Sequence, residues 1–212
     1  MILLFDAANT LIHKPDLFNK VANVLNKNKL QFDFENLKKN HKFISEIVHF
    51  PDKTSKDFYR LFNTEWLYSI GIIPNNKLLD EIFEVCSYLP WEPFPDTVNL
   101  HKLKIKKAII SNFHGELNKI IDKYFPALFD VIIVSEIEKI RKPNLEFYKR
   151  AMEKLECNPE EIIYIGDSIK LDIEPALKLG MKAWLIDRDN IYPNFYRNIK
   201  SFDEITLDFL SN

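Results

Sequence analysis

Short apolar runs that end at polar or turn residues recur along the chain and predict β-strands. A run of this length and apolar character is typical of a strand buried on both faces of a sheet. The first is ILLF, which ends at Asp6, and later runs lie within KKAIISNFHGE (106–116), FDVIIVSEIEK (129–139), EEIIYIGDSIK (160–170) and KAWLIDRD (182–189). Amphipathic segments with helical spacing separate the later runs. Strand and helix therefore alternate from about residue 94 onward, which predicts an α/β fold with a doubly wound parallel sheet.

The segment between the first and second predicted strands has a different pattern. Its apolar side chains recur every three or four residues, as in Phe18, Val21 and Leu25. This spacing is that of an amphipathic helix rather than a strand. Pro51 and Pro74 lie where the periodicity breaks. The pattern predicts four helices that form a small bundle inserted into the sheet domain.

A proline-rich stretch, WEPFPDTV (91–98), follows the predicted bundle. It indicates a stiff segment that returns the chain to the sheet. We therefore expect two domains. Residues 1–12 and 94–212 form the α/β core, and residues 13–93 form a helical cap over the carboxyl ends of the strands.

Composition and charge narrow the classes of partner. Lys and Arg number 29 against 31 Asp and Glu, which gives a net charge of −2 and no electrostatic footprint for nucleic acid or an anionic membrane. Cys86 and Cys157 lack the paired spacing of a zinc or redox motif. No apolar run approaches the roughly 20 residues of a membrane-spanning helix, and no signal peptide is visible. We expect a cytoplasmic protein whose partner must be inferred from its site.

Polar side chains follow three of the predicted strands at their carboxyl ends. They are Asp6, then Ser111 with Asn112, then Asp167 in the sequence GDS. Because parallel strands bring their carboxyl ends to one edge of a sheet, Asp6 and Asp167 are expected to meet there. Two unpaired carboxylates would repel each other, so we expect a hard divalent cation such as Mg²⁺ to bind between them. The structural alternative is that these acids cap turns.

Two further residues belong to this predicted edge. Asp172 lies one helical turn beyond Asp167 and is placed to orient a metal-bound water, although an N-cap role is equally open. Lys142 precedes Pro143, a residue that suits the first turn of a helix. Its ammonium is expected to neutralise a bound phosphate, and the alternative is a surface charge.

Taken in order, these motifs resemble those of the haloacid dehalogenase-like (HAD) hydrolase superfamily, and the resemblance covers essentially the whole chain. The first motif, a nucleophilic Asp with a Thr four residues later, matches Asp6 and Thr10 in FDAANTL. The second matches Ser111 in IISNF, the third matches Lys142, and the fourth matches GDS with Asp172 as the further acid. The resemblance implies a Rossmann-like HAD core and identifies the helical insert as a cap placed between the first and second motifs.

The resemblance also implies a catalytic chemistry. Asp6 would attack phosphorus and form an aspartyl-phosphate, Lys142 would neutralise charge on the phosphoryl group, and Ser111 would hold a phosphoryl oxygen. The implied reaction is hydrolysis of a phosphate ester of a small metabolite.

Ligands for metal and substrate follow from the same resemblance. Mg²⁺ is expected to bind Asp6, the backbone carbonyl of Ala8, Asp167 and Asp172. Thr10 and Asn112 are the expected substrate-binding residues, and a contact of Asn112 with backbone stays open.

One position departs from the family pattern. Family phosphatases carry a second Asp two residues after the nucleophile as general acid and base, whereas this chain has Ala8. A methyl group transfers no proton, and a missing general acid–base typically lowers a rate by roughly 10²–10⁴. The next residue is usually Gly and here is Asn9, one of the few other residues that tolerate a left-handed backbone.

Several functional hypotheses therefore remain open beside slow hydrolysis. A phosphate-binding protein without turnover is one. A second is the phosphonoacetaldehyde hydrolase branch, which also has Ala at this position and uses a cap lysine, for which Lys38, Lys39 and Lys42 are the nearest candidates. Dehalogenation is disfavoured, because dehalogenases place an aromatic at position 8 and rebuild the fourth motif.

A phosphoacceptor signalling domain uses a similar set of strand-end residues. The helical insert argues against it, because a receiver surface must stay open to partner proteins. His13 and His114 are the imidazoles near the first two motifs, and neither is a predicted site residue, since a lone His on a loop is usually exposed.

Overall fold

The computed structural model describes residues 1–206 and 209–210 and divides the chain into two compact units. The first comprises Met1–His13 with Glu92–Asn212, and the second comprises Lys14–Trp91. The expected boundaries lie close to these, since the expectation placed 1–12 and 94–212 in the α/β core and 13–93 in the helical insert.

A parallel sheet forms the centre of the first unit. Within the described residues it has six strands in the spatial order β5-β4-β1-β6-β7-β8, and every neighbouring pair is parallel. The strands are β1 (Ile2–Phe5), β4 (Lys106–Ser111), β5 (Val131–Val134), β6 (Ile162–Gly166), β7 (Lys182–Ile186) and β8 (Asn198–Ile199). The chain runs outward from β1 in both directions, which confirms the predicted doubly wound α/β fold and places its switch point at β1.

Helices pack against this sheet as the sequence periodicity predicts. They are α5 (Leu117–Tyr124), α6 (Ser135–Glu138), α7 (Leu145–Leu155) and α8 (Glu174–Lys178), with a π-helical turn at Ile169–Ile173 and short 3₁₀ turns at Pro95–Lys102, Pro159–Glu161 and Phe202–Glu204. The apolar face of α7, including Phe147 and Ala151, joins Leu4, Ile110 and Tyr164 of the strands in one buried cluster. Burial of this apolar face stabilises the packing of α7 on the sheet.

Two very short strands form a second sheet in the first unit. β2 (Ile12–His13) pairs antiparallel with β3 (Glu92–Pro93), so the proline-rich return segment is partly a strand and then the 3₁₀ turn at Pro95–Lys102. The stretch begins where the second unit ends and returns the chain to the first unit, but its short strand was not predicted. A two-residue strand containing proline carries no alternating pattern that sequence could reveal.

The second unit is helical throughout its main elements. Residues 14–91, all of which the structure describes, form four helices: α1 (Leu17–Lys27), α2 (Phe34–Ile47), α3 (Lys56–Ser69) and α4 (Asn76–Cys86). Asp33, Ser55 and Asn75 cap α2, α3 and α4 by accepting a hydrogen bond from a first-turn backbone N–H. Trp66 is buried and its indole N–H donates to the Leu37 carbonyl. These observations confirm the predicted four helices.

In the part of the chain that the structure describes, no helix is both long and apolar enough to cross a bilayer.

Candidate active site

The predicted residues at the strand ends lie at one edge of the sheet. Asp6 directly follows β1, Ser111 ends β4 and Asp167 directly follows β6, and β1 lies between β4 and β6. The Asp6 backbone N–H donates to the Ile165 carbonyl at 3.0 Å, which continues the pairing with β6 by one residue. Asp6 therefore lies at the end of the central strand β1, at the switch point where open α/β sheets bind ligands.

Lys142 connects two carboxylates at this edge. Its Nζ lies 2.6 Å from Asp6 Oδ1 and 2.6 Å from Asp172 Oδ1. The side chains of all three residues are almost wholly buried. The Ser111 hydroxyl also donates to Asp6 Oδ1, at 3.2 Å. Because an unpaired buried charge is costly, these contacts explain how a charged cluster is tolerated beneath the surface.

The contacts in this cluster shift the pKa values of Asp6 and Lys142. Burial raises the pKa of Asp6 to about 7; the Lys142 ammonium opposes this rise, and the Asp172 and Asp167 carboxylates add to it. Burial acts to lower the pKa of Lys142, but the neighbouring Asp172 and Asp6 carboxylates outweigh burial and raise it. Lys142 therefore stays charged at neutral pH and supplies a permanent positive charge beside Asp6.

Asn112 holds the backbone of Lys142. The Lys142 N–H donates to Asn112 Oδ1 at 2.8 Å, and Asn112 Nδ2 donates to the Lys142 carbonyl at 3.0 Å. Of the two roles left open for Asn112, these contacts match the backbone contact and not the substrate contact. The paired hydrogen bonds place the lysine opposite the end of β4.

Asp172 is held from three directions. Its Oδ1 accepts from Lys142 Nζ at 2.6 Å and from the Tyr164 hydroxyl at 2.9 Å, and its Oδ2 accepts from the Ser168 backbone N–H at 3.0 Å. A Cβ on Gly166 would lie 2.4 Å from the Asp172 carboxylate, so glycine is required for this approach. These hydrogen bonds place Asp172 against Lys142, and its expected role as a metal ligand stays a prediction.

The turn that follows Asp6 is tightly hydrogen-bonded. Asn9 adopts the expected left-handed conformation, with φ of 60°. The Leu11 and Ile12 N–H groups donate to the Ala7 carbonyl, and the Asn9 N–H donates to the Ile12 carbonyl. The backbone bonds described for this turn thus end on the carbonyls of Ala7 and Ile12 rather than that of Ala8.

Thr10 lies within the same turn and is wholly buried. Its hydroxyl has no hydrogen-bond partner among residues 1–206 and 209–210. The substrate contact expected for Thr10 stays a prediction.

The donor set at this edge fits a hard cation. Oxygen atoms of Asp6, Asp167 and Asp172 lie within 4.8 Å of one another. All three acids therefore stay candidate ligands together with the Ala8 carbonyl, and Asp172 also accepts three hydrogen bonds. Carboxylate and carbonyl oxygens are the ligands that Mg²⁺ prefers.

Sequence reasoning missed one polar contact of this site. Tyr164 lies inside the apolar run of β6 and reads as a core residue, and its ring is indeed wholly buried in the core cluster. Its hydroxyl nevertheless reaches Asp172 and Lys142, at 2.9 and 3.3 Å. The sequence signal that could have revealed this contact was the hydroxyl of Tyr164, the polar atom of an aromatic residue in a strand that ends at the site.

Comparisons with known proteins identify the family of the chain. The family model of haloacid dehalogenase-like hydrolases matches residues 1–180. Glyceraldehyde 3-phosphate phosphatases from Methanocaldococcus jannaschii and Methanothermobacter thermautotrophicus are similar, with 33% identity over 95 residues and 27% over 103 residues. These alignments cover 42% and 46% of this chain and the same shares of the two enzymes, so the chain matches less than half the length of these curated relatives.

A solved structure extends the likeness of fold to both units. The HAD-hydrolase YfnB from Bacillus subtilis, bound to magnesium, superposes with a TM-score of 0.67 at 17% identity and covers 100% of this chain and 98% of its own. At this identity the likeness concerns the fold alone.

Proposed function

The chain belongs to the haloacid dehalogenase-like hydrolase family, and from that premise we propose that it hydrolyses phosphate monoesters of small metabolites with Asp6 as the nucleophile. The observation that carries the proposal is the Asp6 carboxylate at the switch point of the sheet, hydrogen-bonded to Lys142 and Ser111. A carboxylate held between a buried cation and a hydroxyl suits attack on an anionic phosphoryl group, because the cation offsets the charge of the incoming ligand.

In the first step an Asp6 oxygen forms a bond to phosphorus while the bond to the leaving oxygen breaks. Both hydrogen bonds described for the Asp6 carboxylate end on Oδ1, which fixes its orientation. Lys142 and Ser111 then stabilise negative charge on the phosphoryl oxygens. In the second step water attacks the aspartyl-phosphate, releases phosphate and restores the carboxylate.

Magnesium fits the same edge. Asp6, Asp167, Asp172 and the Ala8 carbonyl are the candidate ligands of the ion, and Asp172 is also fixed by its own hydrogen bonds. A bound Mg²⁺ supplies charge neutralisation and orients the phosphate.

Ala8 limits the rate of both steps. No proton donor or acceptor stands at this position of the turn, so the leaving group must take its proton from water and the attacking water must lose its proton to solvent. We therefore propose slow turnover, roughly 10²–10⁴ below that of a site with a carboxylic acid at position 8.

The same residue supports a second candidate, a phosphate-binding protein without turnover. Lys142, Ser111 and the metal ligands suffice for binding, because none of them needs to transfer a proton. The phosphonate-cleaving alternative gains no support from the described contacts of its three candidate lysines on α2. Lys42 pairs with Glu46 at 2.7 Å and Lys38 with Glu35 at 3.6 Å, and Lys39 Nζ lies 5.6 Å from the centre of the Phe43 ring.

A phosphatase panel with Mg²⁺ separates the candidates. The panel includes glyceraldehyde 3-phosphate, because the two relatives are named for it, and compares the native chain with Ala8→Asp and Asp6→Asn. We expect slow phosphate release that Ala8→Asp accelerates and Asp6→Asn abolishes. Release unaffected by Asp6→Asn would refute the nucleophile. A phosphate-dependent rise in melting temperature without any release would favour the binding protein.

A further inference from the structure

Tyr164 connects the buried core of the sheet to the charged cluster. It stands within β6 and is wholly buried. Its hydroxyl lies 2.9 Å from Asp172 Oδ1 and 3.3 Å from Lys142 Nζ. A phenol can donate one hydrogen bond and accept others, so it can serve both neighbours at once.

The direction of these bonds follows from the chemistry of the partners. An ammonium only donates and an ionised carboxylate only accepts. Tyr164 therefore donates to Asp172 and accepts from Lys142. Lys142 has three N–H groups, and the structure gives them three acceptors: Asp6 Oδ1, Asp172 Oδ1 and the Tyr164 oxygen. Tyr164 completes this set and helps to hold Nζ in its place between the two carboxylates.

A second tyrosine provides a natural comparison. The Tyr148 ring on α7 packs against the Tyr164 ring with centroids 6.0 Å apart. Its hydroxyl donates to the backbone carbonyl of Leu171, the residue before Asp172. Tyr148 thus supports the same segment through the backbone, and its described hydrogen bond reaches neither Lys142 nor a carboxylate.

We propose that Tyr164 is a positioning residue of the Asp6 site, which holds the Lys142 ammonium against Asp6 by completing its hydrogen bonds from inside the core. The contribution to turnover rests on the proposed phosphate hydrolysis, whereas the placement of the ammonium does not. Loss of the hydroxyl leaves one buried N–H without its acceptor and removes a donor from Asp172. Nζ is then held by two acceptors instead of three and shifts relative to Asp6, so the charge that it offers to the phosphoryl group is less well placed.

The test removes one oxygen from each tyrosine. Tyr164→Phe is expected to lower kcat about tenfold with KM nearly unchanged, since one positioned hydrogen bond is worth about this factor and substrate binding is untouched. Tyr148→Phe keeps the same ring and is expected to leave kcat within about twofold. Thermal unfolding of both variants establishes that they fold.

A spectroscopic readout makes the test independent of turnover. In protein carrying isotope-labelled lysine, the buried Lys142 ammonium is expected to give a slowly exchanging side-chain NMR signal, identified by its loss in Lys142→Arg. Tyr164→Phe should broaden that signal, and Tyr148→Phe should leave it sharp.

The outcomes are distinguishable. Where the native chain turns over, the proposal requires both the fall in kcat and the broadened signal, and the absence of either overturns it, as does an equal effect of Tyr148→Phe. Where the native chain does not turn over, the proposed function fails, and the ammonium signal alone decides whether Tyr164 places Lys142.

Discussion

Asp6 and Ala8 belong to the same turn, but the two positions differ in the polar and charged groups that they offer. Asp6 is buried against a permanently charged lysine and a serine hydroxyl. Ala8 is half-buried and contributes a methyl group and a backbone carbonyl. The first position is built to carry and neutralise charge, and the second has no means to move a proton.

This difference separates two functions that phosphoryl transfer normally combines. Charge stabilisation acts on the phosphoryl group, whereas proton transfer acts on the leaving group and on the hydrolytic water. A site that keeps the first and lacks the second should favour substrates whose leaving group needs no proton. It should also release phosphate from its aspartyl-phosphate slowly.

The largest expected effect is on the lifetime of that aspartyl-phosphate. With Mg²⁺ and acetyl phosphate, whose leaving group is a stable carboxylate, we expect the native chain to accumulate one phosphoryl group on Asp6. Ala8→Asp should shorten its lifetime by roughly 10²–10⁴, because the new carboxyl group activates the attacking water. Intact-protein mass spectrometry after rapid quenching follows the adduct, and peptide mapping locates it.

Asp6→Asn is the control for this experiment, since an amide cannot form the adduct. A native chain that hydrolyses acetyl phosphate with no detectable adduct, and whose rate Ala8→Asp leaves unchanged, would contradict the proposed division between the two positions.

The second prediction concerns the charged half of the comparison. Lys142→Met keeps an unbranched side chain but leaves Asp6 and Asp172 buried without their cation. We expect the free energy of unfolding to fall by about 3–5 kcal/mol, the usual cost of breaking a buried ion pair. Urea titration followed by circular dichroism measures it.

Lys149→Met is the matched control on α7. Lys149 pairs with Glu146 at 2.7 Å, but the two side chains are 47% and 59% exposed. Exposed pairs contribute about 0.2–1 kcal/mol, so this variant should change stability little. Equal losses of unfolding free energy in the two variants would show that the buried Lys142 pairs contribute no more to stability than an exposed pair.

Much of the fold could be predicted from the sequence, because most strands of the main sheet are long enough to appear as runs of apolar residues. All four residues of β1 are buried, and Ser111 and Asp167 stand at strand ends where the parallel arrangement brings them together. β2, β3 and β8 have two residues each, too few for any periodicity to appear. They are fixed by backbone pairing between segments that are distant in the chain.

The candidate site was predictable to the extent that strand ends define it. The hydrogen-bond partner of each side chain could not be predicted, because it depends on rotamers that are set by packing between distant segments. Asn112 meets the Lys142 backbone, and Asp172 receives Tyr164 and the Ser168 N–H. None of these contacts has a local sequence signal, since each polar group could equally have pointed to solvent or to a substrate.

The smallest expected effect concerns the geometry of the turn itself, which both positions share. Asn9 holds φ of 60°, a conformation that costs most residues about 1–2 kcal/mol and glycine very little. Asn9→Ala should lower the free energy of unfolding by about 1 kcal/mol, whereas Asn9→Gly should stay within about 0.5 kcal/mol of the native chain. Both are measured by urea titration, and neither removes a group that contacts Asp6 in the described structure.

If Asn9→Gly instead destabilised the protein as much as Asn9→Ala, the asparagine side chain rather than its backbone conformation would hold the turn. The left-handed residue would then be part of the site's polar network and not only a hinge between Asp6 and the strand that follows.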